Sequence, residues 1–225
     1  MADGAMFKRS ALLAAGALLI TAVMAAAGAM SVRAWAAAEP LRIVAFGDSL
    51  TSGYGLPADQ SFPAQLERAL KARGHNVEIA NAGVSGDTTA AGLARFDWAI
   101  PPNADAVILE LGANDALRGI APKTARANLD AILQRLKSRG IPVLIAGFRA
   151  PANWGRAYAA SFDKLFGDLA RKYGHDLYPF FLEGVAMQRG LNQPDGLHPN
   201  AAGVARIVEQ IAPSVERLIA RARSK

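Results

Sequence analysis

The chain has 225 residues, of which 52% are hydrophobic and 20% charged, with a formal net charge of +6 and no cysteine. A chain of this length buries a core large enough to fold without a disulfide or a structural metal. The lack of cysteine excludes disulfides, thiolate zinc sites, iron–sulfur clusters and a cysteine nucleophile, and three histidines are few for a histidine-rich site, so we expect no metal.

The first 38 residues have the pattern of an export leader. Lys8 and Arg9 precede an uncharged apolar run at 11–32, and an Ala36-x-Ala38 exit follows. This pattern is typical of a secretory signal peptide cleaved after Ala38, so we predict a leader at 1–38, a single folded domain at 39–225 and a periplasmic or secreted location. The run is longer than the roughly 7 to 15 residues usual for such peptides, so an uncleaved membrane anchor is the alternative.

The charge of the remaining chain is mildly positive. Lys8, Arg9 and Arg33 against Asp3 give the leader +2, which leaves +4 on residues 39–225. The positive residues are scattered, apart from a group at 217–225, where cations suit the C-terminus of a helix. Because no basic stripe with interleaved aromatics is present, we predict no nucleic-acid partner.

From Leu41 onward, short apolar runs alternate with longer amphipathic ones. The predicted strands are Leu41 to Phe46, Val77 to Asn81, Ala106 to Leu111, Pro142 to Gly147 and Asp176 to Tyr178. The predicted helices lie near Phe62 to Lys71, Thr88 to Arg95, Lys123 to Ser138, Tyr158 to Lys172 and Ala201 to Arg221. This alternation predicts an α/β fold in three layers, with a doubly wound parallel sheet of about five strands between helices.

Three of the predicted helices end in a glycine that leads into a strand. Gly74, Gly140 and Gly174 occupy these positions, where glycine takes the left-handed cap that other residues resist. His75 and His175 directly follow two of the three, so we interpret them as polar residues near helix C-termini. His198 is then the histidine available for chemistry.

Small polar segments follow the first three predicted strands. They are 47–51 (GDSLT), 81–87 (NAGVSGD) and 112–115 (GAND). Each alone would serve as a turn. Ligands of open parallel sheets bind outside the carboxyl ends of the strands, so together the segments bring a hydroxyl, a glycine N–H and a side-chain amide to one crevice.

Asp195 and His198 are spaced so that, on a tight turn, the carboxylate reaches one imidazole nitrogen while the other nitrogen faces the crevice. A serine hydroxyl needs such a base to act as a nucleophile. The alternatives without catalysis are that Asp195 caps the last helix and that Ser49 caps a helix or contacts a phosphate. The phosphate-loop and G-x-G-x-x-G patterns are absent, however. We therefore predict Ser49 as nucleophile, His198 as base and Asp195 as its orienting acid.

The negative oxygen of a tetrahedral intermediate needs hydrogen-bond donors. The predicted donors are the backbone N–H groups of Ser49 and Gly83 and the side-chain amide of Asn114, which could instead only tie its loop together. Glycine at 83 lets a substrate carbonyl approach closely. Ser85 is the rival nucleophile. The G-x-S-x-G elbow of the α/β-hydrolase fold surrounds neither serine, which argues against that fold.

Four blocks of this sequence together resemble those of the SGNH, or GDSL, hydrolases. They are Gly47-Asp48-Ser49-Leu50, Gly83, Gly112-x-Asn114-Asp115 and Asp195-x-x-His198, and they cover nearly all of 39–225. The chain is most similar to the small periplasmic members that act as thioesterase, protease, lysophospholipase and arylesterase. The resemblance implies a flavodoxin-like fold, no cofactor, and the triad and oxyanion donors given above. Thr51 and Trp154 depart from the family's usual serine and tyrosine.

The expected reaction is transfer of an acyl group from a carboxylic ester or thioester to water, with aryl esters, acyl-CoA or lysophospholipids as substrates. The expected partner is a small molecule, with transient contact to membrane lipids, and the chain is expected to be a monomer. An apolar groove lined by loops such as Trp154 to Tyr158 would hold the acyl group, unless those aromatics are ordinary core. Two alternatives remain: an acetylesterase for cell-wall or exported carbohydrate, and a non-catalytic doubly wound domain that binds a phosphorylated or flavin ligand.

Overall fold

Five parallel strands form one sheet in the computed structural model, which describes residues 39–225. The predicted signal peptide at 1–38 lies outside the described residues. The strands are β1 (Leu41–Gly47), β2 (Val77–Gly83), β3 (Ala106–Glu110), β4 (Val143–Ala146) and β5 (Asp176–Tyr178). The α-helices are α1 (Ser49–Ser52), α2 (Phe62–Ala72), α3 (Thr89–Ala94), α4 (Phe96–Ala99), α5 (Ala113–Leu117), α6 (Pro122–Ser138), α7 (Arg156–Tyr173) and α8 (Ala201–Arg223).

Strand β1 shows how both faces of the sheet are covered. Ile43 and Ala45 pack into the cluster formed with α2 and α8, whereas Val44 and Phe46 pack into the cluster formed with α6 and α7. Successive side chains of a strand point to opposite faces, so a strand buried on both sides has a continuous apolar sequence. The predicted three-layer α/β fold is therefore confirmed.

The strand order is β2-β1-β3-β4-β5, which is the order of flavodoxin-like folds. The connection from β1 to β2 runs through α2 on one face, and that from β2 to β3 runs through α3 and α4 on the other. Since neighbouring connections leave to opposite faces, a crevice opens at the carboxyl ends of β1 and β3.

The predicted long helices and the strands begin and end within about two residues of their observed bounds. The glycines that end α2, α6 and α7 have positive φ angles of 86°, 66° and 66°, as a left-handed cap requires. Helices α1, α4 and α5 were not predicted, because four or five residues are too few to show a helical period.

The two edges of the sheet differ in content. The segments GDSLT, NAGVSGD and GAND come at the carboxyl ends of β1, β2 and β3, while His75 and His175 precede β2 and β5 at the opposite edge. Within residues 39–225 no helix is long and apolar enough to cross a membrane. That part of the chain also holds no cluster of three or more His, Cys, Asp or Glu suited to a metal ion.

Candidate active site

Ser49, His198 and Asp195 form a continuous chain of hydrogen bonds at the carboxyl edge of the sheet. Ser49 Oγ lies 3.0 Å from His198 Nε2, and Asp195 Oδ2 lies 2.7 Å from His198 Nδ1. Both contacts lie within hydrogen-bond range. The structure thus brings together the three residues that the sequence predicts as nucleophile, base and orienting acid.

The turn from Asp195 to His198 fixes the carboxylate before the imidazole meets it. Asp195 Oδ1 accepts the backbone N–H groups of Leu197 (2.9 Å) and His198 (3.0 Å). The backbone N–H and the ring of His198 are the main causes that lower the pKa of Asp195 to about 2. The carboxylate therefore stays ionised at any pH at which the protein would work.

Ser49 is the first residue of α1, directly after β1. Asp48 is the N-cap of this helix, and its Oδ1 accepts the backbone N–H of Leu50 at 3.0 Å. The first N–H groups of a helix have no partner within the helix. With the N–H of Leu50 taken by the cap, the N–H of Ser49 is left for a substrate oxygen.

A second pair of contacts joins the loops of Ser49 and His198, and sequence reasoning missed it. The ring of Tyr54, shortly after α1, lies against the imidazole of His198 with the ring centroids 4.6 Å apart. Gln193 Nε2 donates to the Tyr54 carbonyl (2.7 Å) and to the Pro199 carbonyl (3.0 Å). Nothing in the sequence pairs these positions, because the contact spans 139 residues.

Asn114 lies in α5, directly after β3, with its amide facing the loop that follows β2. Its Nδ2 donates to the Asp87 carbonyl at 3.0 Å and to Asp48 Oδ2 at 3.3 Å. Both N–H bonds of Nδ2 are thus engaged. An oxyanion at this site would replace one of these two acceptors.

The backbone N–H of Gly83, which the sequence predicts as an oxyanion donor, has a partner within the structure. This N–H donates to Asn81 Oδ1 at 3.0 Å, so it is already engaged. A Cβ at this position would stand 2.3 Å from the backbone nitrogen of Ser52, so glycine is needed here for close packing against α1. The free space lies instead around Gly86, where the nearest atom to such a Cβ is Arg118 Nη2 at 3.8 Å.

The rival nucleophile Ser85 has a different partner. Its Oγ lies 2.9 Å from Ser52 Oγ at an exposed position, whereas the imidazole of His198 contacts Ser49. A serine without a base beside it has no means of losing its proton during attack. The geometry therefore favours Ser49.

A cavity of about 410 Å³ adjoins Ser49 and His198. Its apolar lining comes mainly from four segments: α1, α5, the loop after β4 and the loops that follow β5. The apolar lining residues include Leu50, Leu117, Phe148, Phe180, Leu182, Met187 and Leu197. The expected lining at 154–158 is absent from it: Trp154 packs on Gly119, and the Tyr158 hydroxyl donates to the Ile120 carbonyl at 2.8 Å.

Two buried carboxyl groups lie behind the nucleophile. Burial is the largest cause that raises the pKa of Asp48 to about 6. Glu110, at the end of β3, has a pKa raised well above its ordinary value by burial and by the charge of Asp48. Sequence reasoning did not single out Glu110, because it reads as the last residue of a buried strand.

A doubly wound sheet with a serine, a histidine and an aspartate in contact at its carboxyl edge is the arrangement of a hydrolytic enzyme. A family model described as the GDSL-like Lipase/Acylhydrolase family matches residues 45–206. The chain belongs to this family.

Several proteins are similar to this chain over most of their length. Esterase TesA of Pseudomonas aeruginosa is 38% identical over 185 residues, which cover 82% of this chain and 91% of that protein. Thioesterase 1/protease 1/lysophospholipase L1 of Escherichia coli K12 is 36% identical over 185 residues, which cover 82% of this chain and 86% of that protein. AlinE4, a SGNH-hydrolase family esterase of known crystal structure, is 49% identical in sequence to this chain, and the two structures match with a TM-score of 0.68. The match covers 80% of this chain and 96% of AlinE4.

Proposed function

We propose that the protein hydrolyses carboxylic esters and thioesters of small molecules through an acyl-enzyme on Ser49. The observation that carries the proposal is the hydrogen-bonded chain from Ser49 through His198 to Asp195, at 3.0 and 2.7 Å. Relatives named esterase, arylesterase and thioesterase support the same chemistry.

The reaction has two steps that use the same base. Ser49 Oγ attacks the carbonyl carbon while His198 Nε2 takes the hydroxyl proton, and the imidazolium then gives that proton to the leaving alcohol or thiol. Water attacks the acyl-enzyme, its proton passes to His198 and then to Ser49 Oγ, and the carboxylic acid leaves. Asp195 holds the imidazole and stabilises its charged form.

The oxyanion is held, in this proposal, by the N–H of Ser49, the amide of Asn114 and one glycine N–H from the end of β2 or the loop that follows it. The sequence suggests Gly83, but the bond of that N–H to Asn81 favours Gly86, whose neighbour Asp87 already contacts Asn114 through its carbonyl. A crystal structure of a phosphonate adduct distinguishes the two, because the phosphoryl oxygen would lie within about 3 Å of one glycine nitrogen.

The proposal is tested by labelling and by two substitutions. A serine-directed phosphonate should modify Ser49 and abolish hydrolysis, and Ser49→Ala should be inactive. Asn114→Ala should fold normally and lose about 10²- to 10³-fold in kcat, the usual effect of removing one oxyanion donor. Full esterase activity in Ser49→Ala would falsify the proposal.

The cavity favours acyl chains longer than acetate. It is apolar and about 410 Å³, which is more than an acetyl group fills. With p-nitrophenyl acetate, octanoate and palmitate, we expect kcat/KM to rise from acetate to octanoate. A sharp preference for acetate would instead support an acetylesterase acting on carbohydrate.

Transient contact with lipid is proposed for the mouth of the cavity. Leu117, Met187 and Leu197 line it and are 43%, 90% and 54% exposed. Isolated apolar side chains are common on surfaces, but three around one substrate entrance suit a lipid substrate. Met187→Ser should weaken hydrolysis of micellar lysophospholipid and leave hydrolysis of a soluble short-chain ester unaffected.

The protein is also proposed to be a monomer, and gel filtration of the same samples tests this oligomeric state.

Export is proposed from the leader alone. The basic start, the apolar run and Ala36-x-Ala38 support cleavage after Ala38 and a periplasmic or secreted enzyme spanning 39–225. Mass spectrometry of the protein recovered from the cell envelope should give Glu39 as the first residue. An intact leader in the membrane fraction would favour the anchor.

A further inference from the structure

The carboxyl group of Glu110 lies directly beneath the turn that carries the nucleophile. Glu110 is 2% exposed, and the register of the sheet pairs it with Gly47. Its Oε2 accepts the hydroxyl of Thr51 at 2.8 Å and lies 3.4 Å from the backbone nitrogen of Asp48. The carboxyl therefore contacts the chain on both sides of Ser49.

The lack of a side chain at Gly47 leaves room for this carboxyl. A Cβ on Gly47 would stand 2.7 Å from Glu110 Oε2 and still closer to the hydroxyl of Thr51. Any side chain at 47 would displace the carboxyl or the threonine. The first glycine of the GDSL segment thus makes space for Glu110.

Asp48 connects this carboxyl to the oxyanion donors. Its side chain is fully buried, and its two oxygens accept the backbone N–H of Leu50 at 3.0 Å and the amide of Asn114 at 3.3 Å. One bond orients the first turn of α1, and the other orients α5. Both segments carry groups that our mechanism places at the reacting carbonyl.

Among residues 39–225, no cation forms an ion pair with either of these two carboxyls. The guanidinium of Arg95, which donates to the Gly47 carbonyl at 2.8 Å, is bound to Asp87 at 2.6 Å rather than to Asp48 or Glu110. Two ionised carboxylates buried together are costly, so the pair retains one proton at neutral pH. Burial and the charge of Asp48 raise the pKa of Glu110 well above its ordinary value, whereas the two N–H donors to the Asp48 side chain favour the ionised form of that carboxyl.

We propose that Glu110 is a positioning residue for the hydrolysis described above: its buried carboxyl accepts the Thr51 hydroxyl and lies at the backbone N–H of Asp48, and so holds Ser49 and, through Asp48, Asn114 in place. The inference rests on the proposed function. Glu110 touches neither the substrate nor the triad. Its effect reaches the reaction through the turn at 47–51 and through the amide of Asn114.

Two substitutions of similar volume test the inference. Glu110→Gln keeps an acceptor for the Thr51 hydroxyl and the Asp48 N–H, so we expect kcat within about threefold of the wild type. Glu110→Leu leaves the Thr51 hydroxyl and the Asp48 N–H without this partner, so kcat should fall about tenfold or more at unchanged KM. The acylation rate, measured from the burst of p-nitrophenol, should fall with kcat.

Controls separate positioning from general stability. Val143→Ala, in the buried part of β4, should lower the melting temperature without lowering kcat. If Glu110→Leu fails to fold, Thr51→Val against Thr51→Ser provides the same comparison: the serine variant should retain kcat, and the valine variant should lose it severalfold.

Each result bears on the inference in one direction. Retention of kcat in Glu110→Leu, equal activities of the two Thr51 variants, or a Glu110→Gln variant as slow as Glu110→Leu overturns it. Ser49→Ala is measured beside them, because activity there would refute the hydrolase mechanism itself. An inactive Ser49→Ala with a fully active Glu110→Leu would refute only the positioning role.

Discussion

Burial of the Asp48 carboxylate in the site lowers the stability of the protein. Its carboxylate is useful only when ionised, since it then accepts the N–H of Leu50 and the amide of Asn114. Burial nevertheless favours the protonated form and raises its pKa from an ordinary 3.8 to about 6. Strained or poorly solvated groups at active sites commonly trade stability for function in this way.

The pH dependence of this cost has a definite sign. Between about pH 4 and pH 6 the folded protein holds a proton on Asp48 that the unfolded chain has already lost, so the free energy of unfolding falls as pH rises through this window. Asp48→Asn removes the ionisation. We expect it to stabilise the protein above pH 6 by about 1–3 kcal/mol and to lower kcat about tenfold or more.

Urea denaturation at pH 5 and pH 8, with kcat measured at pH 8, tests this prediction. Asp59→Asn, at an exposed position in the loop after α1, is the matched control and should change neither quantity. An Asp48→Asn variant no more stable than the wild type at pH 8 would show that burial of the charge is compensated elsewhere.

At the scale of elements, the start of α8 positions the loop that carries His198. Gly203, in its first turn, donates its N–H to Asn200 Oδ1 at 3.0 Å. A Cβ at 203 would stand 2.1 Å from the Leu191 carbonyl and 3.1 Å from Pro199 Cβ. Both neighbours belong to the segment that flanks His198, so a larger side chain must push the helix and this loop apart.

Gly203→Ala should therefore destabilise the protein by about 1–3 kcal/mol and lower kcat as well. Gly167→Ala, in α7, is the matched control, because the atoms nearest to its Cβ would be the flexible end of Arg171 at 3.4 Å and Leu177 at 3.9 Å. With room available, alanine should stabilise that helix by about 0.5–1 kcal/mol and leave kcat unchanged. Thermal melts and esterase assays on both variants measure the contrast, and equal effects would contradict it.

The sequence predicted elements better than contacts for a physical reason. Apolar runs and glycine caps are local signals, so the bounds of the long helices and the sheet follow from them. The partners of Glu110 and the contact between the rings of Tyr54 and His198 depend on tertiary approach, which no local pattern encodes. Gly83 illustrates the limit: a glycine after a strand has the same sequence signal whether it admits a substrate or packs against α1.

At the scale of the whole molecule, the buried titratable groups at the two edges of the sheet change stability with pH in opposite senses. At the carboxyl edge, Asp48 and Glu110 retain protons in the folded state, which favours folding as pH falls. At the amino edge, burial is the first cause that lowers the pKa of His175 from 6.5 to about 4, and the charge of Arg221 adds to it. His175 Nε2 is buried and has no hydrogen-bond partner in the part of the chain that the structure describes.

His175 should therefore destabilise the protein in mild acid. Between about pH 6.5 and pH 4, His175 is protonated in the unfolded chain but remains neutral in the folded protein. The free energy of unfolding therefore falls as pH falls. His175→Phe removes this titration and retains a ring to stack on Tyr173, whose centroid is 6.1 Å away. Because the imidazole is only partly buried, we expect a gain at pH 4.5 of about 1–2 kcal/mol relative to pH 7.5.

Urea denaturation of the wild type and His175→Phe across this range measures the difference in slope. His75→Phe is the control, because His75 also follows a helix and a glycine. His75 Nε2 lies 3.5 Å from Glu216, however, so this substitution removes a favourable contact, whereas His175→Phe removes a buried atom without a partner. Parallel stability curves for wild type and His175→Phe would mean that the imidazole charges freely in the folded state. Acid sensitivity would then have to arise from a carboxylate whose pKa is lowered in the folded protein, such as Asp195.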